Sequence, residues 1–169
     1  IETLTADSRY SFMFSGMFVS DNMAKILARV LRIPVAGKPI TIINVSGVPS
    51  EIVEVVVSML FRTIFDFALW CDRAKSVPIL LVCEEAHRYV PKGDSAFTSA
   101  RKAIGRIAKE GRKYGVSLCL VTQRPSELSP DVLSQCNTMF ALRMSNEPDQ
   151  DYVAKALPDS AAGLVDSLP

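Results

Sequence analysis

Glu84 and Glu85 stand side by side at the close of Ile79-Leu80-Leu81-Val82-Cys83, an apolar run led in by Pro78. The run reads as a strand buried on both faces, and two adjacent carboxylates at its carboxyl end are too costly there to serve as packing residues. Their chemistry is that of a cation ligand or a proton acceptor. Neighbouring strand residues point to opposite faces, so the two acids can divide those tasks only if the second lies at or past the strand's end, which is where Glu85 falls. Taken alone, the pair reads equally as an exposed loop start with two solvated acids.

Other polar groups end apolar runs in the same way. Val116-Ser117-Leu118-Cys119-Leu120-Val121 runs into Thr122-Gln123-Arg124-Pro125, and Thr138-Met139-Phe140-Ala141-Leu142 runs into Arg143. In open α/β sheets the reactive groups sit where parallel strands end, so three such strands would gather acids, an amide and a guanidinium along one rim. An apolar run closing in two acids has the form of the acidic strand of a nucleoside triphosphatase, in which one acid would hold Mg²⁺, usually through water, and the other would polarise the attacking water. His87 is the only histidine. Without a His-Glu-x-x-His spacing or a second histidine, it reads as a residue that helps to hold the loop rather than as a metal ligand or an acid/base group.

Periodicity supplies the elements that carry these groups. Arg9 to Phe14 alternates polar and apolar residues as a half-buried or edge strand would. Asp21-Asn22 opens a helix with Met23, Ile26, Leu27, Val30 and Leu31 on one stripe, closed by Pro34. Pro39 to Val45 is a short β-branched strand, which Ser46-Gly47-Val48-Pro49 turns into a helix over about residues 50 to 70. Glu51, Glu54, Ser58, Arg62 and Asp66 leave that helix one narrow polar stripe, so its remainder must be buried against the sheet or a neighbouring subunit. Trp70, Phe61, Phe65 and Phe67 belong to that core or interface. The strand, helix, strand order asks for a right-handed parallel crossover.

The next helix starts at Ser95 or Thr98 and runs to about Tyr114. Phe97, Ala100, Ile104, Ile107 and Ala108 fall on one face, Lys102, Arg106, Lys109 and Lys113 on the opposite one, and Arg101 and Arg112 at the boundary. This basic stripe reads also as a plain solvated face. Gly111 and Gly115 bracket the helix end and place Arg112 on a short loop, able to reach outwards. Ser129-Pro130 starts a short helix through Leu133, and Asp149 to Leu157 and Ser160 to Leu168 read as terminal helices.

Composition bounds the rest. A chain of 169 residues, 49% hydrophobic, suits one domain with a substantial core and excludes disorder. A net charge of +1 carries no message about a polyanionic partner. Cys71, Cys83, Cys119 and Cys136 form no close pair at metal-ligand spacing and read as reduced core residues of a cytosolic protein. No window is long and apolar enough to span a bilayer, and Ile1-Glu2-Thr3-Leu4 is not a signal peptide. The missing initiator Met and the end at Leu168-Pro169 suggest a piece of a longer chain.

Four motifs in order narrow the possibilities: Leu81-Val-Cys-Glu-Glu-Ala-His87, Ile107-Ala-Lys-Glu-Gly-Arg-Lys-Tyr-Gly115, Thr122-Gln-Arg-Pro-Ser126 and Val132-Leu-Ser-Gln-Cys-Asn-Thr138. Together they resemble the HerA family, within the HerA/FtsK group of hexameric DNA-pumping ATPases, and the resemblance covers nearly the whole chain. It implies an α/β fold, a partial RecA-like three-layer arrangement with a mostly parallel sheet, with residues 1–169 forming the carboxyl-terminal portion of a single ATPase domain. It implies ATP and Mg²⁺ as cofactors, Glu84 as the Walker B acid on the Mg²⁺ side, Glu85 as the general base, and Gln123 as the sensor of the γ-phosphate or the water. Arg112 would be the arginine finger offered to the neighbouring subunit's nucleotide. Lys113 is a poorer stand-in because it lacks the planar fork. Arg143 would be a further nucleotide or subunit contact. The implied partners are duplex DNA passing through the ring, further copies forming a hexamer, and a NurA-like nuclease or another DNA-processing enzyme. The implied setting is cytoplasmic, with no membrane segment.

One departure stands against these matches. The family's Gly-x-x-x-x-Gly-Lys-Ser/Thr loop is missing: Lys38 follows Gly37 but precedes Pro39, and no second glycine lies at the required distance. The family places that loop, the strand before it and an amino-terminal barrel upstream of Ile1. The chain alone is therefore expected to bind ATP weakly or not at all, and to lack the middle strand of the sheet, leaving edges that could pair with another copy. Two rivals remain: a conjugation or type IV secretion ATPase of the same superfamily, working at the inner membrane, and a non-catalytic ATPase-like module kept for oligomerisation. DEAH-box helicases share the acidic run, but would carry Ser-Ala-Thr where this chain has Thr122-Gln123-Arg124.

Overall fold

Two apolar runs pair side by side in parallel and set the frame for everything around them. In the computed structural model, which describes residues 23–33, 37–72, 76–93 and 98–157, these runs are β1 (Ile79–Cys83) and β2 (Val116–Leu120). Their register runs from Ile79 opposite Val116 to Cys83 opposite Leu120. The helices among the described residues are, in chain order, α1 (Met23–Leu31), α2 (Ser50–Trp70), α3 (Thr98–Glu110), α4 (Pro130–Leu133) and α5 (Glu147–Ala156). The arrangement is α/β, with α3 carrying the chain between two parallel neighbours, as a partial RecA-like fold requires. By its contacts the chain divides into two compact units, Ile1–Val53 and Glu54–Pro169.

In the first unit α1 forms where its apolar stripe predicts. It ends with Arg32 in the left-handed region, φ 54°, while the Ile33 N–H donates to the Ala28 carbonyl at 3.1 Å. This satisfies an otherwise orphaned helix carbonyl. The strand expected at residues 39–45 does not form. It has no ladder partner among the described residues, and Ile40 and Ile42 are 73% and 88% exposed. Branched side chains favour a pleated, half-buried surface, but a strand exists only against a neighbour. The expected strand at Arg9 to Phe14, the closing Pro34 and the helix at Ser160 to Leu168 lie outside the described residues.

In the second unit one face of the sheet is covered. Phe65 and Ala68 of α2, Ile107 of α3 and Val116 of β2 close a core onto which Phe61, Leu81, Tyr114 and Leu118 pack. The Phe65 and Tyr114 rings meet edge to face at 5.7 Å, and the Arg106 guanidinium lies 4.7 Å over the Phe65 ring. Arg106 also reaches Asp66 and Glu110, so this member of the basic stripe is engaged within the chain. Arg101 likewise donates to the Gly93 carbonyl at 2.6 Å. Lys102, Lys109 and Lys113 are exposed.

The opposite face of the sheet has no cover among the described residues, which corrects the expectation that β1 is buried on both faces: Leu80 and Val82 are 63% and 55% exposed. Cys119 lies exposed for the same reason, and Cys136 is exposed as well, so the four free cysteines are not all core residues. Cys83 is the buried one, and burial pushes its thiol up to about 12, keeping it neutral and unreactive. Trp70, at the end of α2, projects away from the core that Phe65 enters. The predicted strand at residues 138–143 is also absent. Phe140 and Leu142 are exposed and no ladder partner lies among the described residues, so Arg143 does not end a strand. Among the described residues no helix is long and apolar enough to cross a membrane.

Candidate functional site

The two parallel strands deliver their polar ends to the same edge. Val121 ties them there: its N–H donates to the Cys83 carbonyl at 2.9 Å, and its own carbonyl accepts the Ala86 N–H at 3.0 Å. The chain between those two bonds is Glu84-Glu85, which bulges out as an exposed turn. Glu85 adopts φ 52°, ψ 43° ahead of the short 3₁₀ turn Ala86–Arg88. For a residue with a Cβ this left-handed conformation costs about 1–2 kcal/mol and persists only where the surroundings impose it. Here the buried Ala86 and Val90 impose it, together with a second set of ties farther along. Lys92 N–H donates to the Glu127 carbonyl and Ser129 N–H to the Val90 carbonyl, so the loop after β1 and the loop after β2 are stapled into one ridge.

Gln123 is exposed on this ridge, one residue past Thr122. Thr122 Oγ1 accepts the Arg124 N–H at 3.0 Å and lies 3.0 Å from His87 Nδ1. Arg124 itself is held by Glu127 at 3.0 Å. Glu84, Glu85 and Gln123 thus lie on the two tied loops at one edge, whereas the guanidinium of Arg112 does not. Arg112 is exposed on the 3₁₀ turn Gly111–Tyr114, which feeds the amino end of β2, where the Gly115 carbonyl accepts the Ile79 N–H. A five-residue strand separates this end from the acidic rim, roughly 15 Å at about 3.3 Å per residue. Two glycines make the turn possible. A Cβ on Gly111 would come 2.6 Å from the Val116 carbonyl oxygen, and Gly115 sits at φ 75°.

Asp149 is a residue anchoring this ridge that sequence reading missed. It is buried, 2% exposed, in the first turn of α5. It accepts the Ser126 N–H at 2.9 Å and the Asn146 side-chain amide at 2.7 Å, so it clamps α5 to the turn three residues past Gln123. The spacing Asn146-x-x-Asp149 was the available signal, since polar residues three apart mark a helix start. Burial alone would raise its pKa, but the bonds from Ser126 and Asn146 and the charge of Arg124 outweigh it and hold the carboxyl below the usual carboxylate range. A depressed folded-state pKa stabilises above the ordinary carboxylate value, and the gain is lost as pH falls through the lowered one. Asp149→Ala is therefore expected to cost about 1–3 kcal/mol at neutral pH. In thermal unfolding, the advantage of the native protein over Asp149→Asn should shrink as pH drops below about 4.

The acidic turn fits a magnesium nucleotide on the metal side. Among the described residues no group of three or more His, Cys, Asp or Glu could enclose a metal ion. Mg²⁺ needs no such cage: it is held by one or two carboxylates together with phosphates and water. An exposed pair of carboxylates on a strand-end turn is that kind of donor set. The phosphate side is another matter, because the chain's own sequence holds no glycine-lysine loop.

A family model described as Helicase HerA, central domain, matches residues 2–64. The chain is 48% identical over 95 residues to the DNA double-strand break repair helicase HerA of Pyrococcus furiosus, covering 56% of this chain and 17% of that protein. It is 46% identical over 91 residues to the probable DNA double-strand break repair helicase HerA of Methanocaldococcus jannaschii, 54% of this chain and 18% of the relative. A longer match, 33% over 133 residues, reaches the DNA double-strand break repair helicase HerA of Sulfolobus acidocaldarius, 76% of this chain and 26% of that protein. The chain thus spans less than a third of each of these curated relatives. With its acidic turn and amide on one rim of an α/β frame and its kinship to these helicases, the chain belongs to the HerA-like ATPase family.

Proposed function

We propose that residues 1–169 are the carboxyl-terminal portion of the motor domain of a hexameric DNA translocase that hydrolyses ATP between subunits and moves duplex DNA through its ring. The observation that carries this reading is the Glu84-Glu85 turn, fixed through Val121 beside Thr122-Gln123. Glu84 would hold Mg²⁺, which would supply charge neutralisation at the phosphates. Glu85, past the strand end, takes the proton of the attacking water. Gln123 orients that water from the neighbouring loop. Arg112 lies too far away to serve the acids of its own chain and projects a guanidinium towards the next subunit's nucleotide, with Lys113 beside it; Arg143 adds a nucleotide or subunit contact. The phosphate-binding loop comes from elsewhere in the complete protein, and a NurA-like nuclease is the implied processing partner.

The test is ATP turnover by the complete protein with and without linear duplex DNA. Stimulation of about tenfold or more is expected, since a motor couples hydrolysis to its track. A flat response would point to a secretion-type ATPase instead.

A further inference from the structure

His87 joins the two strand ends through its side chain. The ring is largely buried, with Nδ1 3.0 Å from Thr122 Oγ1 and 3.5 Å from Glu85 Oε2. An ionised carboxylate only accepts hydrogen bonds, and its negative charge beside Nδ1 favours the tautomer with hydrogen on that nitrogen. That N–H then donates to the Thr122 hydroxyl oxygen, which already accepts the Arg124 N–H. Thr122 precedes Gln123 in the chain, and Glu85 is held in a strained backbone conformation with its carboxylate half exposed. A carboxylate so placed samples several rotamers unless a neighbour restrains it.

We infer that His87 is a positioning residue of the hydrolysis site: one imidazole nitrogen bridges Thr122 and Glu85, and so sets the separation between the proton-accepting carboxylate and the amide that orients the water. This rests on the assignment of Glu85 as general base and adds to it a residue that touches neither nucleotide nor water. The link spans the gap between the two loops on the side-chain level, where the Ala86–Val121 bond spans it on the backbone level. Loss of the imidazole leaves the backbone tie intact, so the rim stays folded while the carboxylate and the amide lose their mutual register.

The experiment measures kcat and KM for ATP in the complete protein carrying His87→Ala, His87→Asn, Thr122→Val, Thr122→Ser and the His87→Ala/Thr122→Val pair, beside Glu85→Gln. His87→Ala and Thr122→Val should each lower kcat by roughly 10- to 10²-fold, with KM for ATP and the melting temperature unchanged. The double variant should be no slower than the worse single, because both substitutions remove the same His87–Thr122 link and the Arg124 N–H loses its Thr122 acceptor equally in Thr122→Val and in the pair. Asn keeps an N–H near the position of Nδ1 and Ser keeps the hydroxyl, so each should recover most of the loss. Additive losses in the double variant, a rise in KM at constant kcat, or absence of rescue overturns the inference. Should His87→Ala fail to fold, the Thr122→Val and Thr122→Ser comparison decides by the same criteria. The two assignments fail separately. An active Glu85→Gln removes the general base itself, whereas an inactive Glu85→Gln beside a His87→Ala of native rate removes only the role of His87.

Discussion

Glu85→Gln in the complete protein is expected to lower kcat for ATP hydrolysis by on the order of 10²- to 10⁴-fold, the range over which a positioned general base acts. Gln matches Glu in shape and keeps a hydrogen-bonding oxygen, but it cannot take a proton. The substitution disturbs little else. The side chain is about half exposed, it supports no core, and the left-handed backbone at this position is no harder for Gln than for Glu. Stability should therefore stay within about 0.5 kcal/mol of the native protein, and nucleotide binding should persist. This separates chemistry from assembly. A non-catalytic oligomerisation module would keep whatever turnover number it had, and retained turnover in Glu85→Gln would remove the general base from the proposal. Single-turnover measurement is the sharper readout, because steady-state rates mix chemistry with product release.

How much of this was legible beforehand depends on whether a feature is local. Helix α1 announced itself through its stripe, α2 through Pro49 and its long apolar run, and α3 through two opposed faces, since a helix satisfies its hydrogen bonds within one segment. Strands β1 and β2 were equally visible. Residues 39–45 and 138–143 carried a similar apolar signal and form no ladder among the described residues, because a strand's hydrogen bonds depend on a partner that its own residues do not encode. The same divide runs through the candidate site. Glu84, Glu85 and Gln123 share a rim because each follows an apolar run, and parallel pairing turns that sequence property into proximity. The meeting of His87 with Thr122 could not be read this way. The two are 35 residues apart, and their contact depends on the register between β1 and β2 and on the left-handed turn at Glu85. Arg143 follows a run that has no ladder partner among the described residues, so parallel pairing does not carry it to the rim as it does the acids and the amide.

Arg112→Ala should lower ATP turnover by about 10³-fold or more, and Arg112→Lys should recover only part of it, because a single ammonium cannot match the planar fork on a phosphoryl group. Geometry adds a condition that a cis-acting cation would not meet. The turn bearing Arg112 sits at the amino end of β2, the acidic rim follows the carboxyl end of β1, and the roughly 15 Å of strand between them exceeds the reach of an arginine side chain. If the guanidinium acts at all, it acts on a neighbour's nucleotide. Mixing then becomes diagnostic. A ring containing both Arg112→Ala and Glu85→Gln subunits holds some interfaces at which an intact Glu85 faces an intact Arg112, so the mixture should hydrolyse ATP faster than either inactive variant alone. Mixed rings that remain as slow as the separate variants would show that the two residues do not meet across an interface, and Lys113 or another cation would have to take the finger's place.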